Sequence, residues 1–368
     1  ASSRPNGGSW TVPISISEGG ENAQAPLVCM DALGNAVAVW NRFDGMYSMV
    51  QAAQLPLGGS WTGPINISSS GANANNATLG MDASGTVGNA VAVWHRFNGS
   101  NFVIQGSTLP SGGSWSAPTD VSASGQDALI PEVAVDKNGN SVITCIRYDG
   151  SSFGVVSASQ VYSEVWGPNF TLSLPGDTSY APIVRVDSDG NAVCLWSQFD
   201  GTNNVIQTSS LVLGSSWSPS VALSAPGQNA YISDFVMDDA GNIHAIWVRF
   251  DGSNYVLQSC SRNSLGEWGA TSDLSVAGQD VGSIDIAIDP QGNCVAIWDI
   301  LSGSDSKIQS ARLPKDGSWT TAEDVSTPNQ YAYFPTIGID SAGNSVAIWL
   351  ESDGTNYVVK GSTLPFGG

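Results

Sequence analysis

Half of the arginines in this 368-residue chain recur in one short phrase. Arg42, Arg96, Arg147 and Arg249 each open a segment close to R-F-D-G-S-N, and Gln198 takes the slot in a fifth copy. A guanidinium makes planar, paired hydrogen bonds and stacks on flat rings. Asp149 and Asp251 follow in the same phrase, and the set reads as a repeated polar ligand site or as plain hairpin turns, because Asp-Gly is itself a turn signal. A second recurrent phrase, G-Q-D/N-A, offers Gln126, Gln228 and Gln279, with Tyr180, Tyr231 and Tyr333 close by. Aromatic rings beside amides suit sugars, which need an apolar platform and in-plane hydrogen bonds. A third recurrent slot holds Glu132, Asp234 and Asp285, where other copies have Leu27, Thr78, Ile183 and Thr336. Hard cations favour oxygen cages, but three acids spread over seven copies read as solvated walls, and no metal is expected.

Signs of catalysis are few. Only His95 and His244 are present, and no G-x-S-x-G, H-E-x-x-H or glycine-rich phosphate loop occurs. A glycosidase needs two carboxylates at a fixed separation. Acids are plentiful, yet near-equal repeats argue against unlike residues converging on one centre. The expectation is a protein without enzymatic activity and without a cofactor.

Acidic residues outnumber basic ones 32 to 12, for a net charge of −20. Nucleic-acid binders need clustered Lys and Arg to displace counterions, so nucleic acid is not an expected partner. No apolar run is long enough for a membrane-spanning helix, so no membrane insertion is expected. The five cysteines all lie in apolar runs and form no CxxC pair, which reads as buried small hydrophobes.

Tryptophan reveals the scaffold behind these slots. Trp10, Trp61, Trp115, Trp166, Trp217, Trp268 and Trp319 stand 51, 54, 51, 51, 51 and 51 residues apart. The longer step matches an insertion at Thr86 to Gly88. Trp40, Trp94, Trp196, Trp247, Trp298 and Trp349 repeat with the same period, and Cys145 fills the missing place. One unit of about 51 residues predicts four strands. The first is short and apolar, as in 131–136, and a D-x-x-G-N turn follows. The second strand, A-V-A-V-W, is apolar on both faces and so must lie between two other sheets. The third resembles Tyr255 to Ser259, and the fourth runs from Trp61 to Ser68.

Four strands repeated seven times without helical period predict an all-β, seven-bladed β-propeller occupying 1–368 as one domain. The chain opens on a fourth strand and ends on three, so residues 8–17 are expected to close the ring beside Tyr357 to Ser362. An open solenoid is the alternative, but it needs no complementary half-units. The phrase P-x-V-A-V-D-x-x-G-N-A-V-A-V-W resembles bacterial seven-bladed propellers whose near-identical blades arose by internal amplification, and the turn resembles that of NHL-type propellers. The sialidase Asp-box does not fit, because no serine leads the Asp. The resemblance implies the fold and a habit of binding partners on the loop face.

Together these features predict a non-catalytic binding module, with a glycan as the most specific ligand and lectin-like recognition through the loop face. A protein-interaction scaffold is the alternative, and a glycoside-active enzyme a further one. The expected protein is a monomer, secreted or at the cell surface.

Overall fold

A strand that is apolar on both faces requires a covering layer on each side. A computed structural model, describing residues 1–3, 9, 11–82, 88–302, 305–328 and 330–365, shows how those layers are supplied. The chain divides into two compact units, Ala1–Thr171 and Leu172–Gly368. No helix is found among the described residues.

The first unit holds three antiparallel sheets, each ordered as in the sequence. They are β1 (Ala23–Met30), β2 (Ala36–Phe43), β3 (Ser48–Leu55) and β4 (Ile65–Asn66); β5 (Ala74–Met81), β6 (Ala90–Phe97), β7 (Phe102–Leu109) and β8 (Thr119–Asp120); and β9 (Ala128–Val135), β10 (Ser141–Tyr148), β11 (Phe153–Gln160) and β12 (Phe170–Thr171). The second unit holds four. They are β13 (Ser179–Val186), β14 (Ala192–Phe199), β15 (Asn204–Leu211) and β16 (Val221–Ala222); β17 (Ala230–Met237), β18 (Ile243–Phe250), β19 (Tyr255–Arg262) and β20 (Ser272–Asp273); β21 (Asp280–Ile288), β22 (Cys294–Ser302), β23 (Asp305–Leu313) and β24 (Glu323–Asp324); and β25 (Ala332–Ile339), β26 (Ser345–Ser352) and β27 (Tyr357–Leu364). Within each unit the first strands of successive sheets lie side by side. This is a propeller-type arrangement of repeated sheets.

The cores form between sheets. Val37, Val39, Leu79, Ala92 and Trp94 join the first sheet to the second. In the second unit Leu195, Phe235 and Trp247 join the fourth and fifth, and Ile297, Ile308 and Trp349 the sixth and seventh. The six tryptophans of the second-strand slot are all buried, as is Cys145 in the seventh. Each such indole removes roughly 150–250 Å² from water. No disulfide joins the cysteines: Cys29 is half-buried, the other four are buried, and all are free.

The D-x-x-G-N turn is a hydrogen-bonded device. The Asp136 carboxylate accepts the Asn138 and Asn140 amides and the Asn140 side-chain N–H, each at 2.8 Å. The same pattern recurs at Asp31, Asp187, Asp238, Asp289 and Asp340. Gly139 takes φ 83°, a conformation open to glycine at no steric cost. The Asn140 side-chain Oδ1 then accepts the Tyr162 amide at 3.0 Å, tying this turn to the one after the third strand.

Two expectations need correction. The fourth strand is laddered over two residues, as in β4, rather than from Trp61 to Ser68. Pro64, Pro118, Pro168 and Pro219 precede or enter these segments and lack the N–H a ladder needs. The serine hydroxyl anchors the segment instead, with Ser68 Oγ accepting the Val50 amide at 2.9 Å. The first strands begin about three residues earlier than read and carry a bulge, at Ile130 in β9 and Phe334 in β25, both at φ 53°. Finally, β25–β27 has three strands among the described residues. Trp10 and residue 8 of the expected closing strand lie outside the described residues, and Thr11 and Ile14 donate their amides to Ser3 and Ala1. Of the insertion, Thr86 and Val87 are likewise outside them.

Asp136 is 2% exposed and satisfies three donors. Asp136→Ala is expected to destabilise the protein by about 2–3 kcal/mol, because those donors lose their partner in a buried place. Urea unfolding of this variant against Asp149→Ala, which loses only an exposed hairpin turn, checks the assignment.

Candidate functional site

The arginine slot is spent largely on the scaffold. Arg42 is 11% exposed and directs Nη2 to the Gly19 carbonyl at 3.5 Å, with Glu18 at 3.7 Å. Arg96 donates to the Ser70 carbonyl at 3.2 Å. Arg96 therefore straps the segment that joins the first sheet to the second, and Arg42 the one that leads into β1. Arg147 and Arg249 occupy the same register, opposite Ala128 and Ala230. Gln198 serves its slot by a relay, receiving the Trp196 indole N–H and donating to Asp177.

Asp149 and Asp251 are occupied by their own turns. Asp149 accepts the Ser151 and Ser152 amides at 2.8 Å, which hold its carboxyl down to about 2. The Asn254 and Ser253 amides lower Asp251 in the same way. Gln126, Gln228 and Gln279 are half-buried. Their neighbours do the linking: Asp127 and Asn229 accept the first amides of β7 and β15, those of Phe102 and Asn204.

The inner strands of the second unit bring unlike charges together. Asp234 on β17 lies between Arg185 on β13 and Asp285 on β21, with Thr336 on β25 completing the row. Arg185 Nη2 is 3.4 Å from Asp234 Oδ1, and its guanidinium stands 5.5 Å above the Phe235 ring. Asp285 Oδ2 accepts the Thr336 hydroxyl at 2.6 Å and the Ile337 amide at 2.8 Å. Oδ1 accepts its neighbour's amide, that of Ile286, at 2.8 Å. The Asp234 side chain is 23% exposed, and burial pushes its carboxyl up to about 6. Arg185 opposes the rise, and the nearby Asp285 charge adds to it. A carboxyl raised this far beside a second carboxylate is the arrangement that moves protons.

Sequence reasoning placed Asp234 and Asp285 in one slot, named Thr336 only as a non-acidic occupant of it, and did not single out Arg185. The available signal was the lone arginine two places beyond the acidic slot in the preceding copy. Glu132 belongs to the first unit and stands opposite Thr144 on β10. No cluster of His, Cys, Asp or Glu able to hold a metal occurs among the described residues.

Aromatic side chains gather at the start of β25. Tyr331 and Tyr333 stack with centroids 6.4 Å apart and planes 14° from parallel. Tyr333 also meets Phe334 at 6.4 Å and Tyr357 at 6.0 Å. Tyr231 reaches Tyr255 at 6.2 Å, whereas Tyr180, in the same slot of β13, is 49% exposed. Beneath Phe334 lies Asp299 on β22, 2% exposed, whose carboxylate accepts the Phe334 amide at 3.1 Å and the Ser283 amide at 2.9 Å. Burial pushes the Asp299 carboxyl up.

No known family and no curated protein matches the chain by sequence. Among solved structures it is similar to a polysaccharide lyase described as an ulvan lyase, with a TM-score of 0.56, 10% identity and 95% of each chain covered. The polysaccharide lyase Uly1 matches with a TM-score of 0.53 and 10% identity, over 96% of this chain and 91% of the other. The NanB sialidase of Streptococcus pneumoniae has a TM-score of 0.46 and 12% identity, over 96% and 70%. The expectation of a non-catalytic, lectin-like module without enzymatic activity is corrected here, because the two lyases that share this fold are carbohydrate-active enzymes. The near-equality of the repeats misled that reading: the inner strands, where Arg185, Asp234 and Asp285 meet, are unequal. At this identity the likeness to the two lyases is one of fold.

Proposed function

We propose that the chain is a glycan-active enzyme whose acid–base groups are Asp234 and Asp285. The observation that carries this reading is the contact of the two carboxylates beside Arg185. Asp234, held protonated near pH 6, is the proton donor to a leaving glycosidic oxygen. Asp285, oriented by Thr336 and Ile337, is the group that takes a proton from water or sugar. Arg185 neutralises Asp234 once its proton has gone. One of the ulvan lyases was solved bound to a chain of glucuronate and sulfated rhamnose. This chain carries a net charge of −20 and one arginine in the row, so a neutral glycan fits its electrostatics better.

The same reading takes the sheets as seven blades of one monomeric domain over 1–368, closed where residues 8–17 add the strand that β27 lacks. It supports glycan as the partner and a location outside the cell or at its surface, where polysaccharide is met. Removal of residues 1–17 is expected to lower the thermal midpoint, with recovery when the peptide is added back. Equal midpoints for the truncated and full chains count against closure.

Activity is tested by incubating the protein with arabinan, β-glucan, xylan and ulvan. New reducing ends measure cleavage, and an ultraviolet-absorbing unsaturated uronyl end separates elimination from hydrolysis. Asp234→Asn is expected to lower the rate about a hundredfold or more, and the wild-type rate to fall as pH rises above about 6. Absence of cleavage on every polymer, or an undiminished Asp234→Asn, rejects the reading.

Stability offers an independent check. The Asp234 carboxyl sits at about 6 in the folded chain, against about 3.9 when unfolded. Folding therefore gains most from this group below about pH 4, and that gain is lost as pH rises through about 6. Asp234→Asn is expected to be more stable than wild type at neutral pH, by roughly 2 kcal/mol. Thermal or urea unfolding across that range should show the difference closing towards pH 4.

A further inference from the structure

The repeat provides its own control for the aromatic cluster. In other copies the slot of Tyr331 holds Asn73, Asp127 or Asn229, whose side-chain oxygens accept the Ser48, Phe102 and Asn204 amides at 2.9, 2.7 and 2.9 Å. Those bonds link one sheet to the next. At Tyr331 the chain forgoes that acceptor for a ring that is 42% exposed. The link to the preceding sheet is made instead by the Ser306 hydroxyl on the Ala332 backbone, so it does not call for a ring at 331.

The bulge slot shows the same departure. Ala25, Asn76, Ile130 and Ala181 share the left-handed bend of Phe334, at φ 46–53°, and all four are exposed. The bend therefore turns its side chain outward whatever the residue. Phe334 is the one aromatic residue among these five, and it is 68% exposed. An outward phenyl ring is a cost in water unless something covers it.

The bend at Phe334 is also fastened differently. Asn41 and Ser197, in the Asp299 slot of other sheets, donate to the Ala74 and Ala230 carbonyls. Asp299 instead accepts two amides, and one of them belongs to Phe334 itself. A buried carboxylate without a cation partner is costly. Here it fixes the backbone of an exposed ring. Two residues further along the same strand, Thr336 donates to Asp285. Thr336 thus ties the strand that carries the aromatic residues to the Asp285 carboxylate.

We infer that Tyr331, Tyr333, Phe334 and Tyr357 form a sugar-stacking subsite beside Asp285, aimed by Asp299, which binds a pyranose ring of a neutral glycan chain. A pyranose presents a face of C–H groups that covers an aromatic ring while its hydroxyls stay hydrated. The proposal rests on the glycan-active reading and adds to it where the chain beyond the cleaved bond lies. Asp299 is a positioning residue, since it acts through the Phe334 backbone.

The test uses neutral hexasaccharides of β-linked glucose, xylose and mannose. Their binding is measured by calorimetry on the Asp234→Asn variant, which prevents turnover. Phe334→Ala and Tyr331→Ala, each added to that background, are expected to weaken binding about tenfold. In the active enzyme they should raise KM by a similar factor and leave kcat nearly unchanged. Asp299→Asn, which keeps size and one acceptor, should show a smaller rise in KM with kcat retained. Cleavage with an unaltered KM in both aromatic variants overturns the subsite while sparing the catalytic reading. No cleavage and no binding by any variant or wild type overturns both.

Discussion

Burial of both faces of each second strand is the constraint on which the rest depends. A sheet such as β5–β8 cannot shield Val91, Val93 and Trp94 by itself, because the valines and the indole point to opposite sides. The sheets before and after it must supply the cover, and they do so with the same residue types. Stability then accumulates between neighbours, as in any repeat protein. Every other recurrent feature serves this stacking. The Asp–Asn turns set the spacing of first and second strands, the serine hydroxyls hold the short fourth strands, and the Arg42 and Arg96 guanidinium groups fasten the connecting segments.

Repetition also separates the scaffold slots from those proposed to carry chemistry. A slot that does the same work in every copy is scaffold, however polar its side chain. The hairpin carboxylates Asp149 and Asp251 are of this kind, because their own turn amides consume their acceptors. A slot whose occupant changes, at some cost, is free to carry function. Asp234 accepts desolvation that Ile183 and Thr336 avoid in the same slot, and Asp299 accepts it where Asn41 and Ser197 are neutral. Both costs fall in the second unit, and Asp299 fastens the Phe334 backbone of β25.

The distinction accounts for the expectation of a protein without catalysis. The repeated sheets look alike in their turns and second strands, which suggests that they are alike throughout. Their first strands differ, and these are the strands that meet across sheets. Charge on one strand therefore acts on its neighbour about 50 residues away, as between Arg185 and Asp234.

Periodicity and residue type alone determined the repeat, the four-strand unit, the turn chemistry and the buried tryptophans. Each depends on local spacing, such as Asp136 to Asn140, or on an apolar pattern that has one physical outcome. The bulge at Ile130 and Phe334 was not legible, since neither residue type signals a left-handed backbone. The two-residue fourth strands were half legible, through prolines that were present but not weighed. Which polar slots serve the scaffold was decided only by tertiary structure, because a side chain's partner lies in another sheet. The same holds for the Asp234–Asp285 contact. The sequence placed both acids in one slot, but only the packing of β13, β17, β21 and β25 brings the two carboxylates together and sets Arg185 beside them, and burial there raises Asp234.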